Sequence, residues 1–266
     1  MKRVAVFGIC GKMGKAISGE LIKEKDIDLV GGLDREDVNR DIGEVLGVCN
    51  TGFKVHGSYN EIKELNPDVI IDFTNADVAV NTINWAIDNN IDIIVGTTGI
   101  KKSDLEAIEK KAIESKNNKV LIAPNFSIGA IIMVEVSKMV AKYFDDCEII
   151  EMHHDKKKDA PSGTSILTSE QISKAKHFNR NKLKAGESEI LQGSRGAFTN
   201  GVHIHSVRLP GLLAHQNVIF GAMGQTLSVR HDSMDRLAFY PGVILAVRSM
   251  DSLGNYTYGL DKLISL

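Results

Sequence analysis

Residues 3–14, RVAVFGICGKMG, decide how the rest of the chain is read. Val4, Ala5, Val6 and Phe7 are an uninterrupted apolar run, the mark of a strand buried on both faces. Gly8, Gly11 and Gly14 follow, and Met13, Ile17, Leu21 and Ile22 then recur along one face of a helix at residues 12–25. A glycine turn between a strand and a helix lets backbone N–H groups face a pyrophosphate, and the helix start adds partial positive charge. The spacing is G-x-x-G-x-x-G, with Cys10 where the G-x-G-x-x-G pattern has its second glycine. Gly8, Ile9, Cys10, Gly11, Lys12 and Met13 are therefore the first candidate contacts of a dinucleotide.

Outward from this turn, apolar runs at 28–33, 68–73, 91–96 and 119–123 alternate with helical patterns at 76–88 and 101–115. Such alternation implies a parallel sheet covered on both faces. The fold class is α/β, with an N-terminal Rossmann-like domain at residues 1–125. The pattern changes after Pro124. A helix at 131–143, a strand at 147–153 and a helix at 164–176 lead into strands at 202–209, 215–220 and 225–230. Turn signals at Pro210-Gly211 and at residues 221–224 join these strands as in hairpins. Residues 126–239 thus read as an α+β domain with a mostly antiparallel or mixed sheet, for substrate binding and oligomerisation. The stretch 240–266, with an apolar helix at 243–247, is expected to return to the first domain.

The second strand ends at Asp34, 20 residues after Gly14, where an acid accepts hydrogen bonds from an adenosine ribose. Arg35 follows at once and suits a 2′-phosphate, so both NADH and NADPH fit. In an open α/β sheet, ligands bind beyond the carboxyl ends of the strands. Gly96, Thr97 and Thr98 end one strand and Ala123, Pro124, Asn125 and Phe126 end another, so both groups join the cofactor candidates.

A second constellation lies at residues 151–164, EMHHDKKKDAPSGT. His153 and His154 can move protons near neutral pH. Lys156, Lys157 and Lys158 can neutralise carboxylates or help to protonate a reduced carbon. The helix opening at Pro161-Ser162-Gly163-Thr164 can hold an anion at its N–H groups.

Composition narrows the alternatives. Thirty-two Lys and Arg against 34 Asp and Glu leave a net charge of −2, which argues against nucleic acid as a partner. Three cysteines at irregular spacing suggest a reducing compartment and show no zinc pattern, so no metal is expected. No run of 18 apolar residues calls for a membrane, and the N-terminal apolar run stops at Gly11-Lys12 without a cleavage site. A cytoplasmic protein is expected. The 24 glycines against 5 prolines show no collagen-like period.

GICGKMG, DFT, GTTG, APNFS and HHDKKKDAPSGT, in this order and with RLAF at 236–239, resemble the 4-hydroxy-tetrahydrodipicolinate reductase (dihydrodipicolinate reductase) family over essentially the whole chain. The resemblance implies reduction of a cyclic imine dicarboxylate by NADH or NADPH in lysine biosynthesis, by a homotetramer. It implies His153 as proton donor, Lys157 as second catalytic group, and His154, Gly163 and Thr164 as the substrate-carboxylate site. Lys157 is chosen over Lys156 and Lys158 by register alone. Cys10 replaces a frequent glycine, Lys156 a frequent histidine and Gln225 a frequent glutamate. Two other readings share the first half: another two-domain Rossmann oxidoreductase, and a non-catalytic NAD(P)-sensing protein. Neither accounts for residues 151–164.

Overall fold

The computed structural model describes residues 1–115, 117–178, 183 and 186–264. The chain divides into two units, one of Met1–Ser127 with the C-terminal segment from Arg236, the other running from Ile128 to Asp235.

The first unit begins with β1 (Lys2–Phe7), α1 (Lys12–Leu21) and β2 (Ile27–Leu33). It continues with α2 (Ile42–Leu46), β3 (Val55–His56), α3 (Tyr59–Glu64), β4 (Val69–Asp72), α4 (Ala76–Asp88), β5 (Asp92–Val95), α5 (Lys102–Ser115) and β6 (Val120–Ile122). Its strands lie in the order β3-β2-β1-β4-β5-β6, every neighbouring pair parallel. Val4 to Phe7, Val69 to Ile71 and Ile93 to Val95 are fully buried, as strands covered on both faces must be. Each of the Val, Ile and Phe side chains among them contributes about 1.5–3 kcal/mol through removal from water. The strand order reverses at β1, so the glycine turn after β1 opens where open α/β sheets bind ligands.

The region between β2 and β4 holds α2, β3 and α3, which the sequence reading passes over. All three are short. Ser58 and Glu61 form a reciprocal capping box at α3, a signal visible in the sequence as S-x-x-E. Asp41 holds the α2 region by accepting from the N–H groups of Gly43 at 2.7 Å, Thr51 at 2.9 Å and Gly52 at 2.7 Å.

The second unit comprises α6 (Ile128–Ala141), β7 (Asp146–His153), α7 (Gly163–Ala175), β8 (Ala197–Thr199), β9 (Val202–Arg208), β10 (Ala214–Ala222) and β11 (Gln225–Ser233). Its sheet runs β11-β10-β7-β9-β8 and is mixed: β7 and β9 are parallel, the other pairs antiparallel. Cys147, Ile149, Val218, Phe220, Val202 and Ile204 form its core with Ile172 of α7 and Ala141 of α6. Alternate residues of β7 are buried, and Glu151 falls on the same face as Cys147 and Ile149.

From Arg236 the chain adds α8 (Tyr240–Ser249) and β12 (Tyr256–Tyr258) to the first unit, with β12 parallel to β6 at the sheet edge. Pro241 lies in the first turn of α8, where its missing N–H costs nothing.

Candidate active site

The turn after β1 has the shape of a phosphate cradle. Gly8 takes φ +76°, and its N–H donates to Leu33 O at 2.9 Å. Gly11 donates to Gly8 O at 3.0 Å and offers no side chain to cap α1. A Cβ on Gly14 would lie 2.1 Å from Gly8 O, so the glycine is what lets α1 close against the turn. An uncapped helix start behind a glycine turn fits the pyrophosphate of a dinucleotide. Lys12 is exposed and Met13 half-buried. Ile9 points its side chain into the core, where its atoms lie 2.4–2.9 Å from a Cβ built on Gly32.

Cys10 N–H donates to Asp34 Oδ2 at 2.8 Å, while Asp34 Oδ1 accepts from the N–H groups of Arg35 at 2.7 Å and Glu36 at 3.3 Å. The two candidate regions at the ends of β1 and β2 are therefore joined directly. Burial, reinforced by the negative charge of Asp34, pushes the Cys10 thiol up to about 12. The Arg35 side chain is exposed.

Asp72, the last residue of β4, is fully buried. Its Oδ1 accepts from Thr74 N at 2.9 Å, Thr74 Oγ1 at 2.7 Å and Thr97 Oγ1 at 2.9 Å. Burial raises its pKa, partly offset by the donors from Thr74 and Thr97. Thr97 is thereby fixed from below, and Thr98 beside it is exposed. A Cβ on Gly96 would lie 2.2 Å from the Phe73 ring and 3.1 Å from the Phe126 ring. Those rings pack edge to face with centroids 6.1 Å apart. Ala123 and Phe126 are buried, Pro124 is exposed, and half-buried Asn125 turns its Oδ1 back to Ser127 N at 2.8 Å. Asp72 was missed by sequence reasoning; its signal was a carboxylate closing the apolar run VIID.

The second unit assembles the residues of 151–164 around Glu151. That side chain is wholly buried, and a buried carboxylate must be paired. Oε2 accepts from His153 Nδ1 at 2.5 Å and Arg208 Nη1 at 2.8 Å. Oε1 accepts from Arg208 Nη2 at 2.8 Å and Ser162 N at 3.2 Å. Burial alone would raise the Glu151 pKa, but the bonds from His153 and Arg208 outweigh it and hold the group at about 2. Arg208 closes β9 and is the register partner of His153 in the parallel pair. Glu151 and Arg208 were both missed; Glu151 was legible only as an acid at an inward position of β7.

Lys157 is half-buried and donates to both oxygens of Asp159 at 2.7 Å, whereas Lys156 and Lys158 are exposed. His154 is half-buried. Ser162 caps α7 by accepting from Ser165 N at 3.2 Å. Buried Gln216 of β10 anchors the first turn of α7, accepting from Ser165 Oγ at 2.7 Å and donating to Thr168 Oγ1 at 2.8 Å. Gly163 is exposed at the helix start and Thr164 half-buried beside it. Thus His153, His154, Lys157, Gly163 and Thr164 all lie within one strand end, one loop and one helix start. Among the described residues, no group of three or more His, Cys, Asp or Glu could hold a metal ion, and no helix is long and apolar enough to cross a membrane.

Comparison with known proteins covers both units. The family model for the dihydrodipicolinate reductase N-terminus matches residues 2–126, and that for its C-terminus matches residues 129–264. The 4-hydroxy-tetrahydrodipicolinate reductase of Dictyoglomus turgidum is 43% identical over 266 residues, spanning 100% of this chain and 98% of the relative. That of Listeria monocytogenes is 42% identical over 263 residues, 98% of this chain and 99% of the relative. A dipicolinate-bound dihydrodipicolinate reductase from Paenisporosarcina sp. TG-14 superposes with a TM-score of 0.86 at 36% identity, covering 99% of this chain and 100% of that one. With glycine turn and His-Lys loop both falling inside matched segments, the chain belongs to the dihydrodipicolinate reductase family.

Proposed function

We infer that this chain is an NAD(P)H-dependent oxidoreductase that reduces 4-hydroxy-tetrahydrodipicolinate to tetrahydrodipicolinate in the diaminopimelate route of lysine biosynthesis. The observation that carries the mechanism is the pairing of His153 with buried Glu151 beside Lys157 and the start of α7.

The turn from Gly8 to Met13 would hold the pyrophosphate, and Asp34 and Arg35 the adenosine end. Gly96 to Thr98 and the segment from Ala123 to Phe126 would hold the nicotinamide end, with Ile9 and Phe126 contributing through backbone because their side chains are buried. When bound, the reduced nicotinamide supplies the hydride. The chain's own residues bind and protonate. The α7 start at Gly163 and Thr164, with His154, would receive a substrate carboxylate at its N–H groups; a dicarboxylate ligand agrees with the dipicolinate-bound relative. His153 presents Nε2 and donates the proton; Lys157, released from Asp159 by an incoming dianion, offsets its charge. Half-burial favours Lys157 over exposed Lys156 and Lys158 for that role.

The test supplies NADH or NADPH together with substrate made in situ from pyruvate and aspartate semialdehyde, and follows loss of the reduced nicotinamide. No enzyme-dependent loss with either cofactor would defeat the reading. His153→Gln and Lys157→Ala should each lower kcat by about 10²–10⁴-fold with the fold intact; near-normal rates in both would move the chemistry elsewhere. The family resemblance and the composition further support a cytoplasmic homotetramer. Light scattering on the purified protein checks the assembly, and a monomer at working concentration would refute it.

A further inference from the structure

Glu151 accepts on both oxygens from three places: His153 at the end of β7, both terminal nitrogens of Arg208 at the end of β9, and the N–H of Ser162 ahead of α7. Arg208 in turn donates to the carbonyl oxygens of Asp159 at 2.8 Å and Val207 at 2.7 Å. One ion pair, with its carboxylate buried and its guanidinium half-buried, therefore ties two strand ends, the 155–162 loop and a helix start into a single polar knot. A carboxylate only accepts, so the proton between it and the imidazole belongs to His153 Nδ1. That leaves Nε2 as the exchanging atom.

We propose that Glu151 and Arg208 are a positioning pair for the proton donor: Glu151 locks His153 in the Nδ1–H form, and Arg208 cancels part of Glu151's charge so that His153 can release its proton as well as hold it. This rests on His153 being the donor. Glu151 alone would stabilise imidazolium and retain the proton. Shared with a guanidinium, it orients the ring while favouring the charged form less. On the adjoining loop, Asp155, Lys156 and Lys158 are exposed and His154 is half-buried. Lys157 and Asp159 on the loop neutralise each other. On β10, His215 follows Ala214, the register partner of His153, and it is bound to Asp232 of β11. On β11 itself, Asp232 also pairs with Arg230, and burial lowers the pKa of His231. The first turn of α7 brings only hydroxyl groups.

The experiment titrates His153 by ¹⁵N NMR in the substrate-free protein and measures the pH profile of kcat, in wild type, Glu151→Gln, Arg208→Met and the double variant. An opposite charge at hydrogen-bond distance moves a pKa by about 1–3 units. Expected is a wild-type ring protonated on Nδ1. Its titration and the alkaline limb of kcat should move to lower pH in Glu151→Gln and to higher pH in Arg208→Met. Glu151→Gln strands a half-buried guanidinium and can lose the fold, so the double variant is the control. It removes both charges, should recover thermal stability, and should still show low kcat with little change in KM for NADH. If kcat instead returns with stability, or if the His153 titration is the same in all variants, the pair is merely structural and the proposal is overturned. The NMR readout needs no turnover, so it separates failure of this proposal from failure of the assigned reaction.

Discussion

The carbonyl oxygen of Gly8 occupies the space a side chain at position 14 would need, 2.1 Å from an ideal Cβ on Gly14. Both groups are backbone, so neither gives way cheaply. Gly14→Ala must push α1 off the turn, at about 1–3 kcal/mol or more. A lower melting temperature and at least about tenfold weaker NADH binding are expected, since 1.4 kcal/mol is a factor of ten. Gly19→Ala, in the same helix with nothing within 4 Å, should leave binding unchanged. Equal NADH affinity in the two variants would contradict the cradle.

The exposed Arg35 follows Asp34, whose carboxylate is already bound to the turn through Cys10 N–H. Charge-assisted hydrogen bonds are worth about 1.5–3 kcal/mol, or about 10–100-fold. Arg35→Ala should raise KM for NADPH by that factor and leave KM for NADH nearly alone. Steady-state kinetics with both cofactors decide it; an equal rise for both means Arg35 does not meet a 2′-phosphate.

Acid should unfold this protein partly through Glu151. Its pKa falls from an ordinary 4.5 to about 2 on folding. A depressed carboxylate stabilises the fold fully above the unfolded value and loses that contribution as pH falls toward the folded one. Stability should therefore drop between pH 4.5 and about 2, more steeply in wild type than in the Glu151→Gln, Arg208→Met double variant. Parallel melting curves across that window would show that Glu151 is not a source of the acid sensitivity.

Thiol reactivity should single out Cys49, which is exposed, while Cys147 is buried and the Cys10 thiol is pushed to about 12. A thiolate is the attacking form. With a chromogenic disulfide at mildly alkaline pH, one thiol per chain should react fast, and Cys49→Ser should abolish that phase. A fast phase surviving the substitution would place a reactive thiolate at Cys10.

The sequence by itself determined the strand-helix alternation of the first unit, the glycine turn after β1 and the His-Lys loop ahead of α7. These rest on local periodicity and on residue types that only certain turns and helix starts accept. It did not resolve α2, β3 and α3, which are too short to show a period, or β12, whose partner β6 lies more than a hundred residues earlier. Tertiary structure alone decided that Ile9 turns its side chain inward, that Thr97 rests on Asp72, and that Lys157 is the half-buried lysine of three. It also decided the pairing of His153. The carboxylate that holds its ring and the guanidinium that shares that carboxylate stand 57 residues apart, on strands whose parallel register no local pattern encodes, and a buried charge finds its partner only when the sheet forms.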